Sequence, residues 1–308
     1  MENEATGQES LAQLSGEQAA VLLVPLPLPY DFAGCTRGHG WYVLEPYAPT
    51  DLGIRRVERV ASGRVVLLDL SYDPARAAVA IATDCPLTSA EEREVRAKVG
   101  WGLRADEDLA DFYAACAARG GSYVLAIGKG RLLRSPTLFE DAVKVVLTTN
   151  TTWRQTKAMV SRLVQGLGEP HPADPRLRAF PTPESILAAG EGYLGSEARL
   201  GYRAPAVLAL AARAEEMEGL REAALTTEEL RQQLLSFRGV GPYAAATLLM
   251  LLGRYDFLAV DSELRSFTTR KYFAGTPPAA ADLARLYQDW GRWQYLGYWL
   301  DRWLDSLS

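Results

Sequence analysis

The chain has few of the residues that build metal centres and disulfide scaffolds. Its 308 residues include three cysteines and two histidines. Cys35, Cys85 and Cys116 are far apart and form no Cys-x-x-Cys pair, so we expect neither a disulfide scaffold nor an iron–sulfur cluster. His39 and His171 lie among glycines and prolines, where loop histidines are commoner than metal ligands.

Long apolar runs and an excess of basic charge are also missing. No apolar stretch approaches the roughly 18 residues of a membrane helix, and the N-terminus, MENEATGQESLAQLSGEQ, is acidic and polar rather than signal-like. We therefore expect a cytoplasmic protein without membrane contact, in which residues 1–17 form a disordered tail. The net charge of −5 argues against binding nucleic acid through bulk positive charge.

Basic residues nevertheless concentrate in two segments. One segment carries Lys144, Arg154, Lys157 and Arg162, and the other carries Arg254, Arg265, Arg270 and Lys271. Charged residues on a helix usually form a solvated face, so two interpretations stay open: a solvated surface, or a local patch that binds nucleic acid.

The patterning of the chain changes near residue 85. Before it, short β-rich runs (AAVLLVPLPLP, GWYVLEPY, RVVLLDLSY and ARAAVAIAT) alternate with Gly, Pro and Asp and predict an antiparallel sheet over residues 18–85. After it, helical spacing dominates, with capping boxes predicted at Ser89 with Glu92 and at Thr226 with Glu229. The sequence therefore predicts an α+β protein, with a sheet domain followed by a helical domain over 86–308.

The C-terminal segment LARLYQDWGRWQYLGYWLDRW is rich in aromatic residues. Core packing is the commoner role for such side chains. Members at the mouth of a cleft would instead suit a flat ring, by stacking. Trp290, Trp293, Tyr295, Tyr298 and Trp299 are the candidates for either role.

A turn between two helical patterns suits an anion. Gly239 and Gly241 flank Val240 and permit positive φ, and Pro242 fits the first position of the following helix. The unpaired N–H groups at a helix N-terminus, reinforced by the helix dipole, favour an anion such as a phosphate.

Asp261 follows that helix and can return to the turn. A helix over roughly 243–252 advances about 15 Å, and the residues after it can span a longer distance when extended. Asp261 is followed by Ser262, Glu263 and Leu264, a typical helix N-cap pattern. The local sequence therefore leaves two roles open for Asp261, a structural cap or a functional carboxylate.

Two groups of motifs resemble one enzyme family. LLSFRGVGPYAAATLLML followed by LAVDSELRSF resembles the hairpin and aspartate of the helix-hairpin-helix DNA glycosylase superfamily, with Arg238 in place of the usual proline. SPTLFEDAVKVVLTTNTTWRQTKAMVSRL and LGYRAPAVLALA resemble segments of its 8-oxoguanine and type II 3-methyladenine branch. The likeness covers most of the chain and implies a helical glycosylase domain with a cleft between helical subdomains.

The resemblance assigns roles to residues around the cleft. It implies that Asp261 is the catalytic carboxylate, and that Tyr243 stands where strand-cutting members carry a Schiff-base lysine. Asn150 and Tyr202 correspond to residues that wedge into DNA, and Arg203, with Tyr202, to residues that meet the opposite strand. A carboxylate in a partly dry pocket can stabilise the positive charge that develops on the sugar, or activate water.

The resemblance also assigns backbone groups to the DNA strand. The hairpin residues Gly239, Val240 and Gly241 correspond to the segment that holds a phosphate. The carbonyls of Leu235, Phe237 and Val240 correspond to those that hold a monovalent cation, Na⁺ or K⁺, against it. Otherwise no cofactor is expected.

The implied activity is excision of a damaged base from double-stranded DNA by a monomeric, monofunctional enzyme. A tyrosine cannot form an imine, so Tyr243 predicts a glycosylase without strand cutting. An alkylated purine is the favoured substrate because N-alkylation already weakens the glycosidic bond. The alternatives are a glycosylase for an oxidised or deaminated base or a T/U mismatch, a non-catalytic helix-hairpin-helix DNA-binding protein, and a structural protein that uses the hairpin for packing.

Overall fold

The computed structural model describes residues 21–307. The predicted tail over residues 1–17 therefore lies outside the described residues. The strands are β1 Leu22–Pro25, β2 Tyr47–Pro49, β3 Gly53–Arg59, β4 Val65–Asp73 and β5 Ala78–Thr83. They form one sheet in the order β1-β5-β4-β3-β2, and each neighbouring pair is antiparallel. The predicted antiparallel sheet is confirmed.

Helices make up most of the chain after the sheet, and one short helix lies between β1 and β2. In order they are α1 Phe32–Arg37, α2 Ser89–Gly102, α3 Ala110–Arg119, α4 Leu138–Thr148, α5 Trp153–Leu167, α6 Pro183–Ser196, α7 Ala204–Ala212, α8 Ala214–Gly219, α9 Thr227–Leu235, α10 Pro242–Leu251, α11 Ser262–Tyr272, α12 Ala280–Leu286 and α13 Gln294–Asp305. Short 3-10 turns cover 40–43, 121–126, 201–203 and 288–293. The predicted α+β fold class, a sheet followed by helices, is confirmed. The split into two domains at residue 85 stays a prediction.

Two local predictions differ from the structure, and a third is confirmed. GWYVLEPY begins as a 3-10 turn rather than a strand, because Trp41 turns inward and donates a 2.7 Å hydrogen bond to the buried carboxylate of Asp141. The capping box predicted at Ser89 lies one residue earlier, at Thr88 with Glu91. The box predicted at Thr226 with Glu229 is confirmed.

β3 was missed because its sequence, GIRRVER, is charged. Arg56 on this strand is buried, and its guanidinium donates two hydrogen bonds, of 2.9 and 2.7 Å, to the carboxylate of Glu140 on α4. The same guanidinium pairs with Glu58, and Lys144 of α4 pairs with Glu140 at 2.6 Å. A sheet strand and a helix are thus joined by paired buried charges, which are costly to separate.

The hydrophobic core runs continuously from the sheet into the helices. It includes Ile54 and Ile81 of the sheet, Leu147 of α4, Leu248 of α10 and Leu300 of α13. Trp290 and Trp299 are buried in it as well, and this places most of the aromatic C-terminal segment in the core. Within residues 21–307, no helix is long and apolar enough to cross a membrane.

Candidate active site and nucleic-acid interface

The hairpin joins α9 to α10 through a turn that needs glycine at one position. Gly239 has φ of 87°, and a Cβ built there would lie 2.5 Å from the Cβ of Ala206. The N–H of Val240 closes the turn by donating to the carbonyl of Phe237 at 3.0 Å. Gly241 is exposed, and a Cβ on it would meet nothing within 4 Å. The turn is therefore packed on its Gly239 side and open on its Gly241 side.

The open side of the turn leads into the N-terminus of α10. Gly241 is the N-cap and provides no side-chain hydrogen bond, and Pro242 occupies the first turn. The first N–H groups of such a helix need acceptors from outside the helix. The predicted helix and its proline start are present in the structure.

The C-terminal end of α10 is anchored by two buried arginines. Arg104 donates to the carbonyl of Met250 at 2.7 Å, and Arg134 donates to the carbonyl of Leu251 at 3.2 Å. Guanidinium groups at a helix C-terminus satisfy its last carbonyls and complement its dipole. These contacts fix the position of the hairpin helix relative to the first half of the chain.

Asp261 lies at the start of α11 and caps that helix. One carboxylate oxygen accepts a 2.7 Å hydrogen bond from the N–H of Leu264, as the N-cap pattern predicted. The residue is half-buried. Burial raises the pKa of this carboxyl above its usual value, while the Leu264 N–H and the charge of Arg302 oppose that change. The second carboxylate oxygen stays available for chemistry.

Three tyrosines lie within reach of the charge of the Asp261 carboxylate. Burial is the main cause of the raised pKa of each of Tyr243, Tyr295 and Tyr298, and the charge of Asp261 raises all three further. Tyr243 comes from the first turn of α10, and the other two come from α13. The structure thus brings Asp261 and Tyr243, which the sequence paired by resemblance, into one site with two residues of the aromatic segment.

Three hydrogen bonds hold α13 beside this site. The N–H of Tyr295 donates to the carbonyl of Tyr255 at 2.9 Å. The buried carboxylate of Asp301 accepts hydrogen bonds from Tyr287 at 2.7 Å and from Lys271 at 2.8 Å. Lys271 belongs to α11, so Asp301 ties α13 to the helix that Asp261 begins.

Sequence reasoning missed Thr148 and Arg302. The hydroxyl of Thr148, at the end of α4, lies 3.3 Å from the hydroxyl of Tyr243. The guanidinium of Arg302 lies 3.6 Å from Glu263, and its charge acts on Asp261. Spacing on α13 offered a signal, because Arg302 follows Tyr298 by four residues and shares its helix face.

The predicted wedge residues come together beyond the end of α4. Asn150 has φ of 46°, and its side-chain amide donates to the Tyr202 hydroxyl at 3.4 Å. Tyr202 is 67% exposed. Arg203 is buried instead, with its Nε donating to the carbonyl of Thr149 at 3.2 Å and its guanidinium 4.5 Å from the Tyr202 ring centre. Arg203 therefore supports the loop that carries Asn150, while the side chain of Tyr202 is exposed to solvent.

Exposed cations without acidic partners lie on the elements that carry the site. Within the described part of the chain, no ion pair involves Arg154 or Lys157 of α5, Arg238 of the hairpin, or Arg265 of α11. Three members of the two predicted basic segments are instead held by acidic partners. Lys144 is buried against Glu140, and Arg270 and Lys271 pair with Asp305 and Asp301.

The described residues contain no group of three or more His, Cys, Asp or Glu side chains that could hold a metal. The Phe237 carbonyl already accepts the Val240 N–H, and Leu235 is the last residue of α9, where carbonyls lack a helical donor. Carbonyl oxygens have two lone pairs, so this turn has free acceptors.

A separate cavity of about 440 Å³, lined by Phe139, Phe180 and Glu215 among others, lies at the opposite end of α4 from Thr148.

No protein-family model and no curated protein matches the chain. Among solved structures, a 3-methyladenine DNA glycosylase from Archaeoglobus fulgidus is similar with a TM-score of 0.73 and 22% identity, over 91% of this chain and 97% of that one. An 8-oxoguanine glycosylase/lyase from Clostridium acetobutylicum, in its apo form, has a TM-score of 0.66 and 15% identity, over 92% and 98%. The structure of that enzyme with double-stranded DNA containing cytosine opposite 8-oxoG has a TM-score of 0.64 and 16% identity, over 90% and 93%. The chain therefore has the fold of these DNA glycosylases, as the resemblance of its motifs implied.

Proposed function

We propose that the protein is a DNA glycosylase that flips a damaged base out of duplex DNA and hydrolyses its N-glycosidic bond with Asp261. The observation that carries the proposal is this half-buried carboxylate, whose charge reaches three tyrosines, one of them in the first turn of the hairpin helix. A base inside a duplex is out of reach of such a site, so the nucleotide has to leave the helix at a cost of a few kcal/mol.

Asp261 is suited to cleaving the bond by electrostatics. The sugar gains positive charge as the glycosidic bond breaks, and a carboxylate that is partly removed from water stabilises that charge more strongly than a solvated one. The free oxygen of Asp261 either faces that charge or accepts a proton from the attacking water. The hydrogen bond from Leu264 holds the carboxylate in one orientation while this happens.

Backbone and side-chain groups share the task of holding the DNA. The open face at Gly241 and the first N–H groups of α10 suit a phosphate. Asn150 and the exposed Tyr202, which are hydrogen-bonded to each other, fill the space that a flipped nucleotide leaves. Arg154 and Lys157 of α5, Arg238 of the hairpin and Arg265 of α11, which have no ion pair within residues 21–307, offset the net charge of −5 locally.

Tyr243 supports a monofunctional reaction. Its phenol cannot form the imine that precedes strand cutting, and its hydroxyl is engaged with Thr148. Lys144 and Lys271 are held by carboxylates. The expected product is an intact strand with an abasic site.

The aromatic surroundings of Asp261 favour an alkylated purine as substrate. An N-alkylated purine carries positive charge on a flat ring, and the faces of tyrosine rings attract such cations. Because alkylation also weakens the glycosidic bond, one carboxylate suffices without a lysine nucleophile. A monovalent cation held by the carbonyls of Leu235, Phe237 and Val240 would help to neutralise the phosphate at the hairpin, and no other cofactor is needed.

The proposal is tested with duplexes that each carry one lesion. The panel contains an alkylated purine, 8-oxoguanine, a deaminated base and a T/G mismatch, and alkali then reveals abasic sites as strand breaks. We expect strand breaks in the alkylpurine duplex and in no other, and we expect them to appear only after alkali is added. Breaks at another lesion would change the substrate class. Salt-dependent binding to an abasic-site analogue without excision of any base would favour the non-catalytic DNA-binding alternative.

A further inference from the structure

Trp153 is a large aromatic side chain in an unusual position. It is the first residue of α5, three residues after Asn150, and it is 39% exposed. The helix N-terminus does not need it, because Thr152 and Gln155 already form a complete capping box. An exposed tryptophan at this point therefore has no role in starting the helix.

The inner side of the Trp153 ring lies on the N-terminal part of the chain. A Cβ built on Gly40 would lie 2.2 Å from Cζ2 of Trp153, so the ring contacts the bare backbone of this glycine. Gly40 follows α1 and begins the 3-10 turn over 40–43. Trp153 is thus held by a rigid support while its outer side faces solvent.

Arg37 extends the same part of the chain with a positive charge. It is exposed in the last turn of α1, three residues before Gly40, and it has no ion pair within residues 21–307. Arg154 and Lys157, which are also exposed and have no ion pair with another described residue, follow Trp153 on α5. An aromatic face with exposed cations on the two segments that meet at it matches the surface of a nucleic acid strand, since bases and sugars pack on the ring and phosphates attract the cations.

We propose that Trp153 and Arg37 form a second DNA contact, on the strand next to the vacated position, so that the segment around α1 takes part in binding. This inference rests on the proposed function. The N-terminal part of the chain would then contact DNA directly, in addition to packing against the hydrophobic core. The alternative is that Trp153 packs on Gly40 for stability and Arg37 only complements the dipole of α1.

The test compares Trp153→Ala, Trp153→Phe and Arg37→Gln with Arg93→Gln. Arg93 is a matched control because it is also exposed and has no ion pair within the described part of the chain, but it lies on α2, which packs against β1. Dissociation constants are measured for a duplex with an abasic-site analogue over a range of salt concentrations, and thermal unfolding is followed for each variant.

We expect Trp153→Ala to weaken binding about tenfold and Trp153→Phe to weaken it less. Arg37→Gln should reduce the slope of log K against log salt by about one, and Arg93→Gln should leave it unchanged. The inference would be overturned if Trp153→Ala and Arg37→Gln both bound the duplex with the dissociation constant of the wild type. If Trp153→Ala does not fold, the comparison of Arg37→Gln with Arg93→Gln still tests the inference, because both arginines are exposed.

The outcome is separable from that of the proposed function. A wild-type protein that binds with the expected dependence on Arg37 and Trp153, yet excises no base, would leave this contact standing and refute the glycosylase. Excision by wild type with unchanged binding by the variants would refute this contact alone. A wild-type protein that binds no duplex would refute both.

Discussion

At the scale of single residues, the two oxygens of Asp261 have different tasks. One is bound to the N–H of Leu264, so the residue is a helix cap in the ordinary sense. The other lies in a half-buried setting near Tyr243, Tyr295 and Tyr298. Capping and catalysis are therefore compatible, because the cap fixes the orientation that the reaction needs.

Tyr243→Lys tests where the first turn of α10 points. The variant places an amine next to Thr148 and near Asp261, and burial lowers the pKa of a lysine, which makes it more nucleophilic near neutral pH. We expect borohydride to trap a covalent adduct with the variant and none with wild type. A variant that still excises a base but never traps would show that residue 243 does not face the flipped nucleotide.

At the scale of elements, α10 is held at its C-terminal end and open at its N-terminal end. Arg104 and Arg134 bind its last carbonyls, and Gly239 packs against Ala206 at the other end. Gly241 alone in this turn leaves free space. The hairpin is a rigid support with one accessible face.

Gly239→Ala and Gly241→Leu should therefore separate stability from binding. Gly239→Ala forces an alanine into φ of 87° and against Ala206, and we expect a loss of about 1–3 kcal/mol in the free energy of unfolding. Gly241→Leu should cost less than about 1 kcal/mol, yet weaken binding to lesion and undamaged duplexes alike. Denaturant unfolding and duplex titration measure the two effects. Selective loss for one lesion in Gly241→Leu would contradict a backbone anchor.

Local signals explain which elements could be predicted from the sequence. The hairpin, α10 and the Asp261 cap each depend on neighbouring residues, and the structure contains all three. β3 was missed because the partner of Arg56 is Glu140, which is remote in sequence. The contact of Thr148 with Tyr243 and the influence of the Arg302 charge on Asp261 were missed for the same reason, since they arise only when α4, α10, α11 and α13 pack together.

At the scale of the whole molecule, the protein is acidic, but its buried charges are paired while several cations are exposed on the elements of the site. Arg56, Glu58, Glu140 and Lys144 are paired inside, between the sheet and α4. Arg154, Lys157, Arg238 and Arg265 stay unpaired outside, among the described residues, on the site elements. Net charge is therefore a poor guide to the surface that a ligand meets.

The buried Asp141 predicts a pH dependence of global stability. Burial raises its pKa to about 6, against the hydrogen bonds from Trp41 and Ser135, which lower it. In the unfolded state the pKa of an aspartate is about 3.9, so the folded state holds this proton more tightly. The free energy of unfolding of the wild type should therefore fall as pH rises from about 4 to about 6. Asp141→Asn should lack this contribution. Parallel pH curves of unfolding free energy for the two proteins would show that Asp141 ionises freely in the fold.

The central claim, that Asp261 breaks the glycosidic bond, is tested most directly by Asp261→Asn. Asparagine caps helices as well as aspartate does, so the variant should unfold within about 0.5 kcal/mol of wild type. The measurement is the single-turnover rate of base release from an alkylpurine duplex, together with the affinity for an abasic-site analogue. We predict unchanged affinity and a rate lower by more than about a hundredfold, or about 2.7 kcal/mol. A rate within about tenfold of wild type would contradict the account and leave Asp261 as a helix cap.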